Sequence, residues 1–422
     1  MRILYSHYLP TINQPAGHMV HAIAHELRKQ GHEVVIHASV KQGTPAFSPG
    51  GQAEKRFATL RSRLWFAKAL LRDRARRQRD EDAVREIRPD VILVRQDAYC
   101  TSMTRAGYRL GIPVVTYADA PVACEARQRN YSQRWHPPGL VEAIERWGLR
   151  RSRAVVAVSG PGADTLRGYG LSVPIHAIPN GVNPALFPTI TGARRVAART
   201  ALGLTAPCVI GFQGTFQAFH GIDLLLELMR STAGRSDTQW LLIGDGPERE
   251  ALQRATHGRV PAIFLGRRPS EEVGELLGLV DIAVAPYSPV EGPFYGCPLK
   301  VLEYAAARCA ILASDLGDTR SLLDDGRAGT VLPADQPTLW IAALAHLLDN
   351  PRERGEHGRK ARDWVLGSLT WAHTARRVAE VLATAIETNS SSTSPPRSRV
   401  GSLSGMPLTA VPVLQASVES HV

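Results

Sequence analysis

The chain has 422 residues, 44% hydrophobic and 21% charged, and carries a net charge of +11 at neutral pH. That length and balance fit a globular protein of two or three domains and exclude a chain disordered throughout. No apolar run reaches the ~18 residues of a membrane-spanning helix, and the five scattered cysteines (Cys100, Cys124, Cys208, Cys297, Cys309) form neither a CxxC pair nor a zinc spacing, so a reducing cytoplasm is the expected compartment.

The opening MRILYSHYLP lacks the apolar core and cleavage site of an export signal, and RILYSHYLP reads as a strand. GHMVHAIAHELRKQG then reads as a helix stopped by Gly31, and HEVVIHASV as the next strand. QPAGHM sets Gly17 just before that helix, where unsatisfied first-turn amides suit a phosphate or a sugar oxygen. His18, His21 and His25 share one helix face, yet HExxH is absent and no fourth ligand can be placed, so no metal site is expected.

From Lys55 to Arg79 ten basic residues stand against Asp73 alone, with Phe57, Leu60, Leu64, Ala67 and Leu71 at helical spacing. Such a basic amphipathic helix is either a solvated face over the core or, as residues 55–79, a surface for anionic lipid. Aromatic residues are too few there for nucleic-acid stacking, so no nucleic-acid partner is expected. The one DxD-like string, DED at 80–82, lies inside this charged helical stretch and not at a strand end, which does not suit a cation site.

RPDVILVRQD, GIPVVTYADAP and RAVVAVSG continue the alternation of buried strand and helix, the second ending in Asp119. The rhythm pauses at PIHAIPNGVNPALFP, 174–188, whose four prolines and Asn-Gly turn read as a hinge. It resumes with CVIGFQGTF, WLLIGDGP, AIFLGRRP, DIAVAPYSP, CAILASDLGD and GTVLP. The expected fold is α/β, two doubly wound parallel-sheet domains facing a cleft lined by strand C-termini. Their expected extents are 1–178 and 179–370, with a helix over 371–387 packing back on the first domain and a disordered tail over 388–422 rich in Ser, Pro and Thr.

No P-loop and no GxGxxG follow any strand, and the single GxG strings SGPGAD and GDGPER read as strand-to-helix turns. GFQGTFQAFHG places Gly214 after the first strand of the second domain and His220 before Gly221; FLGRR ends a strand in Arg267 and Arg268. In GCPLK, Pro298 suits a first helical position, leaving the amides of Leu299 and Lys300 outward at the positive end of the helix dipole. These loops suit a diphosphate. Glu303, one turn deeper on an otherwise apolar helix, needs a partner: a ribose diol or a neighbouring arginine.

FYGCPLKVLEYAAARCAILASDLG resembles the signature of the family 4 retaining glycosyltransferases of GT-B fold, in the branch reading roughly FxSPLKxxEYMAAGxPVxAS. PAGHMVHAIAHELRKQGHEV, IPNGVNPALF, GFQGTFQAFHGIDLLLEL and LLIGDGPEREAL agree with further motifs in order, over about residues 1–385. The resemblance implies metal-independent transfer of a sugar from a nucleoside-diphosphate donor, with no cofactor and a UDP-sugar favoured over a GDP-sugar. It implies that Glu303 holds the ribose, that Gly296 and the amides near Leu299 face the diphosphate, that Gly17 meets it or the sugar, and that Arg267 and Arg268 lie near the base. Tyr295 stands where the family's first Glu contacts the sugar, and Thr215 and His220 where Arg and Lys commonly neutralise the diphosphate; Lys300 is expected to take over that charge. Asp119 is expected to position sugar or acceptor, with Lys300 and His220 stabilising the leaving group. The acceptor, a glycan, glycolipid or small-molecule hydroxyl, is expected to be a lipid-linked or polysaccharide intermediate at the inner membrane face, with a soluble small molecule as the open alternative. The alternatives are a GT-B-type sugar-nucleotide epimerase and a degenerate, non-catalytic partner of another transferase.

Overall fold

The structure, a computed structural model, describes residues 1–8, 15–38, 58–127, 139–290 and 292–391. The first sheet contains β1 (Arg2–His7), β2 (Glu33–Ala38), β3 (Val91–Arg95), β4 (Val114–Ala118), β5 (Ala154–Ala157) and β6 (Ile175–Ala177), in the order β2-β1-β3-β4-β5-β6. The second contains β7 (Cys208–Gln213), β8 (Thr238–Ile243), β9 (Ala262–Gly266), β10 (Ile282–Ala285), β11 (Ala310–Ser314) and β12 (Thr330–Leu332), ordered β12-β11-β10-β7-β8-β9. Every pairing is parallel. Central strands such as β4, β5 and β11 are buried along their whole length, which is why each reads as an unbroken apolar run. This is the α/β, twice doubly wound architecture expected, and it puts a topological switch point between β1 and β3 in one sheet and between β7 and β10 in the other.

The expected hinge holds more than a linker. Ile175–Ala177 adds an edge strand to the first sheet, too short to show a period in the sequence. The chain then crosses between the domains beside the segment that returns: Val182 N donates to Leu369 O at 3.0 Å and Trp371 N to Val182 O at 3.1 Å. Gly181 lies so close that a Cβ there would fall 2.3 Å from the Thr370 carbonyl carbon, so only glycine fits. After the return, the helix Trp371–Ser391 packs Ala375, Val378, Leu382 and Ala385 into the first-domain core, against Ile3, Tyr5, Val20 and Leu93. Residues 392–422, most of the expected tail, lie outside the described residues.

The basic stretch belongs to the helix Ala58–Ile87. Of the expected apolar stripe, Phe57 lies outside the described residues, and Leu71 is 66% exposed. The face packed on the core carries Phe66, Ala69 and Leu70 and then buried Asp73, Asp80 and Val84. Asp73 accepts from the amides of Thr101 and Ser102 at 2.8 and 3.0 Å and caps the helix Ser102–Leu110 from outside. Asp80 accepts from the Ser102 hydroxyl and pairs with His37 Nε2 at 2.9 Å; Glu81 pairs with Arg109. Asp80 therefore ties this helix to β2 and to the helix Ser102–Leu110, and Glu81 ties the two helices together.

Candidate active site

β7 ends at the second switch point in Gln213 and Gly214, and the short helix Leu299–Ala306 lies over the same end of the sheet. Lys300 is buried on that helix at 7% exposure, with its ammonium 4.6 Å from the ring centroids of both Phe212 and Tyr287. Neither Lys300 Nζ nor His220 Nδ1 has a hydrogen-bond partner among the described residues. A Cβ built on Gly214 would sit 3.1 Å from the former and 3.2 Å from the latter. The missing side chain at Gly214 is thus the gap between these two nitrogens.

The electrostatics follow from burial. Desolvation lowers the Lys300 ammonium to about 7, partly offset by Glu303. His220 is lowered to about 3 by burial and by the charge of Lys300, so its ring is neutral near pH 7 and offers one N–H, not a cation. Burial raises Glu303 to about 7 while the Gln213 side chain and Lys300 favour its ionised form. The sequence did not mark Gln213; the Tyr304 hydroxyl holds its backbone N–H at 2.8 Å.

Around this centre the expected residues fall as follows. The helix begins at Leu299 with Pro298 as its cap, one position later than expected. The Leu299 amide is already engaged, 2.9 Å from Cys297 O, because the chain turns tightly at Pro298 itself. Gly296 borders open space. Thr215 is exposed on the loop after β7. Arg267 and Arg268 are exposed just past edge strand β9, two strands from β7 and so about 10 Å across the sheet; Arg268 lies 3.8 Å from Glu272.

On the first sheet, Asp119 follows β4 and is ion-paired through Oδ2 with Arg95 at the end of β3. Asp119 Oδ1, Arg95 Nε and Nη1, and the Tyr5 hydroxyl are buried without hydrogen-bond partners among the described residues. Burial and Arg95 lower His7 to about 4, and burial beside Asp97 and Asp119 raises Glu125 to about 7. Arg95, at the end of β3, and Glu125, in the short helix Val122–Arg127, were missed in the sequence, where a lone charge at a strand end or in a short helix reads as solvent-facing. Gly17 is buried in the first turn of the helix Pro15–Lys29, not before it, since Pro15 opens that helix. His18, His21 and His25 all face solvent.

The two domains meet near this region. Ser159 Oγ donates to the Tyr295 carbonyl, and Gly160 N donates to Asp318 Oδ2 at 2.7 Å. The Tyr117 hydroxyl donates to Asn180 Oδ1 at 3.0 Å. Tyr295 is itself buried, 8% exposed, where its loop touches the loop after β5. The C-terminal ends of β5 and β11 therefore face one another across the junction.

The model of Glycosyltransferase Family 4 matches residues 16–186 and that of Glycosyl transferases group 1 matches residues 207–350. A GDP-mannose-dependent alpha-mannosyltransferase of Mycobacterium tuberculosis is 26% identical over 375 residues, covering 86% of this chain and 91% of its own length. An alpha-maltose-1-phosphate synthase of Mycolicibacterium smegmatis is 26% identical over 260 residues, 56% of this chain; the match spans 65% of that relative, just under two thirds. Among solved structures, the sucrose-phosphate synthase of Thermosynechococcus elongatus superposes with a TM-score of 0.68 at 16% identity over 92% of this chain and 100% of its own, a likeness of fold.

Proposed function

The chain belongs to the family 4, group 1 glycosyltransferases, and on that premise we propose that it moves a sugar from a nucleoside-diphosphate donor to a hydroxyl acceptor with retention at the anomeric carbon. The observation that supports this reading is the group of buried nitrogens without partners around Gly214, Lys300 Nζ and His220 Nδ1, one turn from Glu303. A buried ammonium with no anion is costly, and a diphosphate supplies the missing charge.

In the reaction the bond from the sugar's anomeric carbon to the β-phosphate oxygen breaks, its electron pair leaving with the diphosphate. The acceptor oxygen bonds to that carbon on the same face, and its proton passes to the departing phosphate oxygen. Lys300 and the His220 N–H stabilise the growing negative charge, an effect worth roughly 3 kcal/mol for one preorganised donor. Glu303 holds the ribose. Asp119, fixed by Arg95, keeps Oδ1 free to orient the sugar or acceptor. The acceptor is a glycan, a glycolipid or a small hydroxyl compound, met at an anionic membrane surface through the helix Ala58–Ile87. No metal takes part.

The family resemblance favours a UDP-sugar, whereas the mycobacterial mannosyltransferase is named for GDP-mannose. A thermal-shift screen of UDP- and GDP-sugars sorts the two, since saturation at 100 times Kd stabilises by about 2.7 kcal/mol. Incubation of the stabilising donor with hydroxyl acceptors, followed by NMR at the anomeric carbon, is expected to give released nucleotide and a product of unchanged configuration, with or without EDTA. An isomerised donor without acceptor would mark an epimerase. Absence of donor binding or turnover would leave a non-catalytic partner.

A further inference from the structure

We propose that Arg77, Arg105 and Arg151, gathered about Trp147 on the first domain, form a binding site for a phosphate group, separate from the cleft and independent of the donor reading. The helices Ala58–Ile87 and Ser102–Leu110 run side by side in the same direction and in a fixed register. Asp73 meets Thr101 and Glu81 meets Arg109, each pair 28 residues apart in the chain. Arg77 lies one turn after Asp73 and one turn before Glu81, and the same steps on the second helix give Arg105. The flanking positions set a donor against a carboxylate; between them one guanidinium stands opposite another. The nearby carboxylates are engaged, Asp73 with the Thr101 and Ser102 amides and the Thr101 hydroxyl, Glu81 with Arg85 and Arg109. Arg77 Nε and Arg105 Nε are buried and have no hydrogen-bond partner among the described residues, a deficit that folded proteins rarely leave unfilled.

Trp147, in the last turn of the helix Leu140–Leu149, brings the third arginine beside them. Arg105 Cζ lies 4.5 Å and Arg151 Cζ 4.0 Å from the centre of its ring, and Arg151 Cζ is also 5.3 Å from the centre of the Tyr108 ring. These stacks hold two of the guanidinium planes in place before any ligand arrives. Burial first and then Arg77 lower the Arg105 guanidinium from its ordinary value, Arg151 and Arg109 adding to this and Asp73 opposing it. An anion relieves that crowding of like charge. A carboxylate brings one charge and two oxygens, which the fork of a single arginine satisfies. A phosphate monoester brings up to about two charges and three acceptor oxygens, a match for three guanidiniums. Trp147 and Arg151 stand just before β5, at the N-terminal edge of the first sheet, whereas the cleft is lined by strand C-termini.

The test compares the full chain with Lys300→Ala and with two double variants of equal charge: Arg77→Gln with Arg105→Gln, and, as control, Arg74→Gln with Arg150→Gln at two exposed positions. Two probes separate the sources of the phosphate. Inorganic phosphate is titrated by calorimetry, and phosphatidylcholine vesicles carrying phosphatidate or, at equal charge, phosphatidylglycerol are tested by co-sedimentation. The Arg77 and Arg105 variant is expected to bind inorganic phosphate about tenfold more weakly, or to lose a severalfold preference for phosphatidate over phosphatidylglycerol, while Lys300→Ala and the control keep both. A loss in the first assay assigns a free phosphate; a loss in the second alone assigns a lipid headgroup. The variant is expected to melt no lower than the wild type, because it removes crowded like charges; Arg77→Gln alone carries the same test should it not fold. The proposal is overturned if the wild type shows neither phosphate binding nor the phosphatidate preference, or if the Arg77 and Arg105 variant retains whichever is present. It is overturned equally if the control loses as much, which marks diffuse surface charge, or if Lys300→Ala abolishes the binding, which places the phosphate in the cleft. Donor binding is expected to be the same in wild type and in the Arg77 and Arg105 variant, so failure here leaves the donor reading untouched.

Discussion

Lys300 and Glu303 sit three residues apart on one helix, and burial pushes both toward about 7 from opposite directions. If these residues form the proposed donor site, its proton balance changes sign with pH. At pH 8 the free Lys300 is mostly neutral and Glu303 ionised; a diphosphate that stabilises the ammonium draws in a proton. At pH 6 Lys300 is already charged, and a ribose hydroxyl donating to Glu303 favours its ionised form, releasing a proton. Calorimetry at each pH in two buffers of different ionisation enthalpy is expected to show uptake at pH 8 and release at pH 6, with Lys300→Ala abolishing the uptake. The same shift opposes folding: Lys300 lies below its ordinary 10.5, so its penalty is full below about pH 7 and fades as pH rises toward 10.5. On the proposed reading, Glu303→Ala removes the charged acceptor of the ribose and is expected to raise the donor Kd by roughly ten- to a hundredfold, about 1.5–3 kcal/mol, without lowering the melting temperature; an unchanged Kd removes Glu303 from the site. The presence of Lys300 and Glu303 was legible in the sequence, but the cage around Lys300 was not. Phe212 lies on β7 and Tyr287 just past the end of β10, strands that pair only in the folded sheet, and no local spacing announces that their rings will enclose one ammonium.

At the level of elements, the strands were legible because a parallel sheet covered on both faces turns each strand into an unbroken apolar run. β6 escaped because three residues carry no period. The helix Ala58–Ile87 was legible as a helix, but spacing put Leu71 on the apolar stripe without deciding whether that stripe meets the core or lipid, whereas Asp73 and Asp80 turn inward because the start of the helix Ser102–Leu110 gives them amides and a hydroxyl to accept from. Asp73→Ala strips two backbone amides and the Thr101 hydroxyl of their acceptor and is expected to cost about 2–3 kcal/mol in urea unfolding. A change within 0.5 kcal/mol would mean that the cap is replaced by solvent. Outward-facing Leu71 lies among exposed Lys68, Arg72 and Arg74, an apolar tip in a basic collar. Exchanging Leu71, Arg72 and Arg74 for Ser, Gln and Gln is expected to reduce co-sedimentation with anionic vesicles severalfold while leaving neutral vesicles unaffected; equal binding would make this a plain solvated face.

For the whole molecule, polar contacts of named loops join the two domains among the described residues. Ser159 and Gly160 of one domain hold Tyr295 and Asp318 of the other, while the chain crosses between the domains as a pair of segments bridged at Val182 and Thr370. Asp318→Ala is expected to enlarge the radius of gyration measured by small-angle scattering and to weaken donor affinity, with the melting temperature nearly unchanged because both cores are left intact; an unaltered radius would show that the contact does not hold the cleft. This junction was illegible in the sequence, since SGPG and FYGCP are more than a hundred residues apart and neither loop carries a pattern naming the other.

The return of the chain also bears on how the protein is made. The first sheet lacks the cover supplied by Ala375, Val378, Leu382 and Ala385 until the helix Trp371–Ser391 leaves the ribosome. The intervening second domain takes on the order of 10–40 s to synthesise at typical rates. During that interval the domain made first is the one that cannot close its core, so it must wait, partly uncovered, for the domain made second.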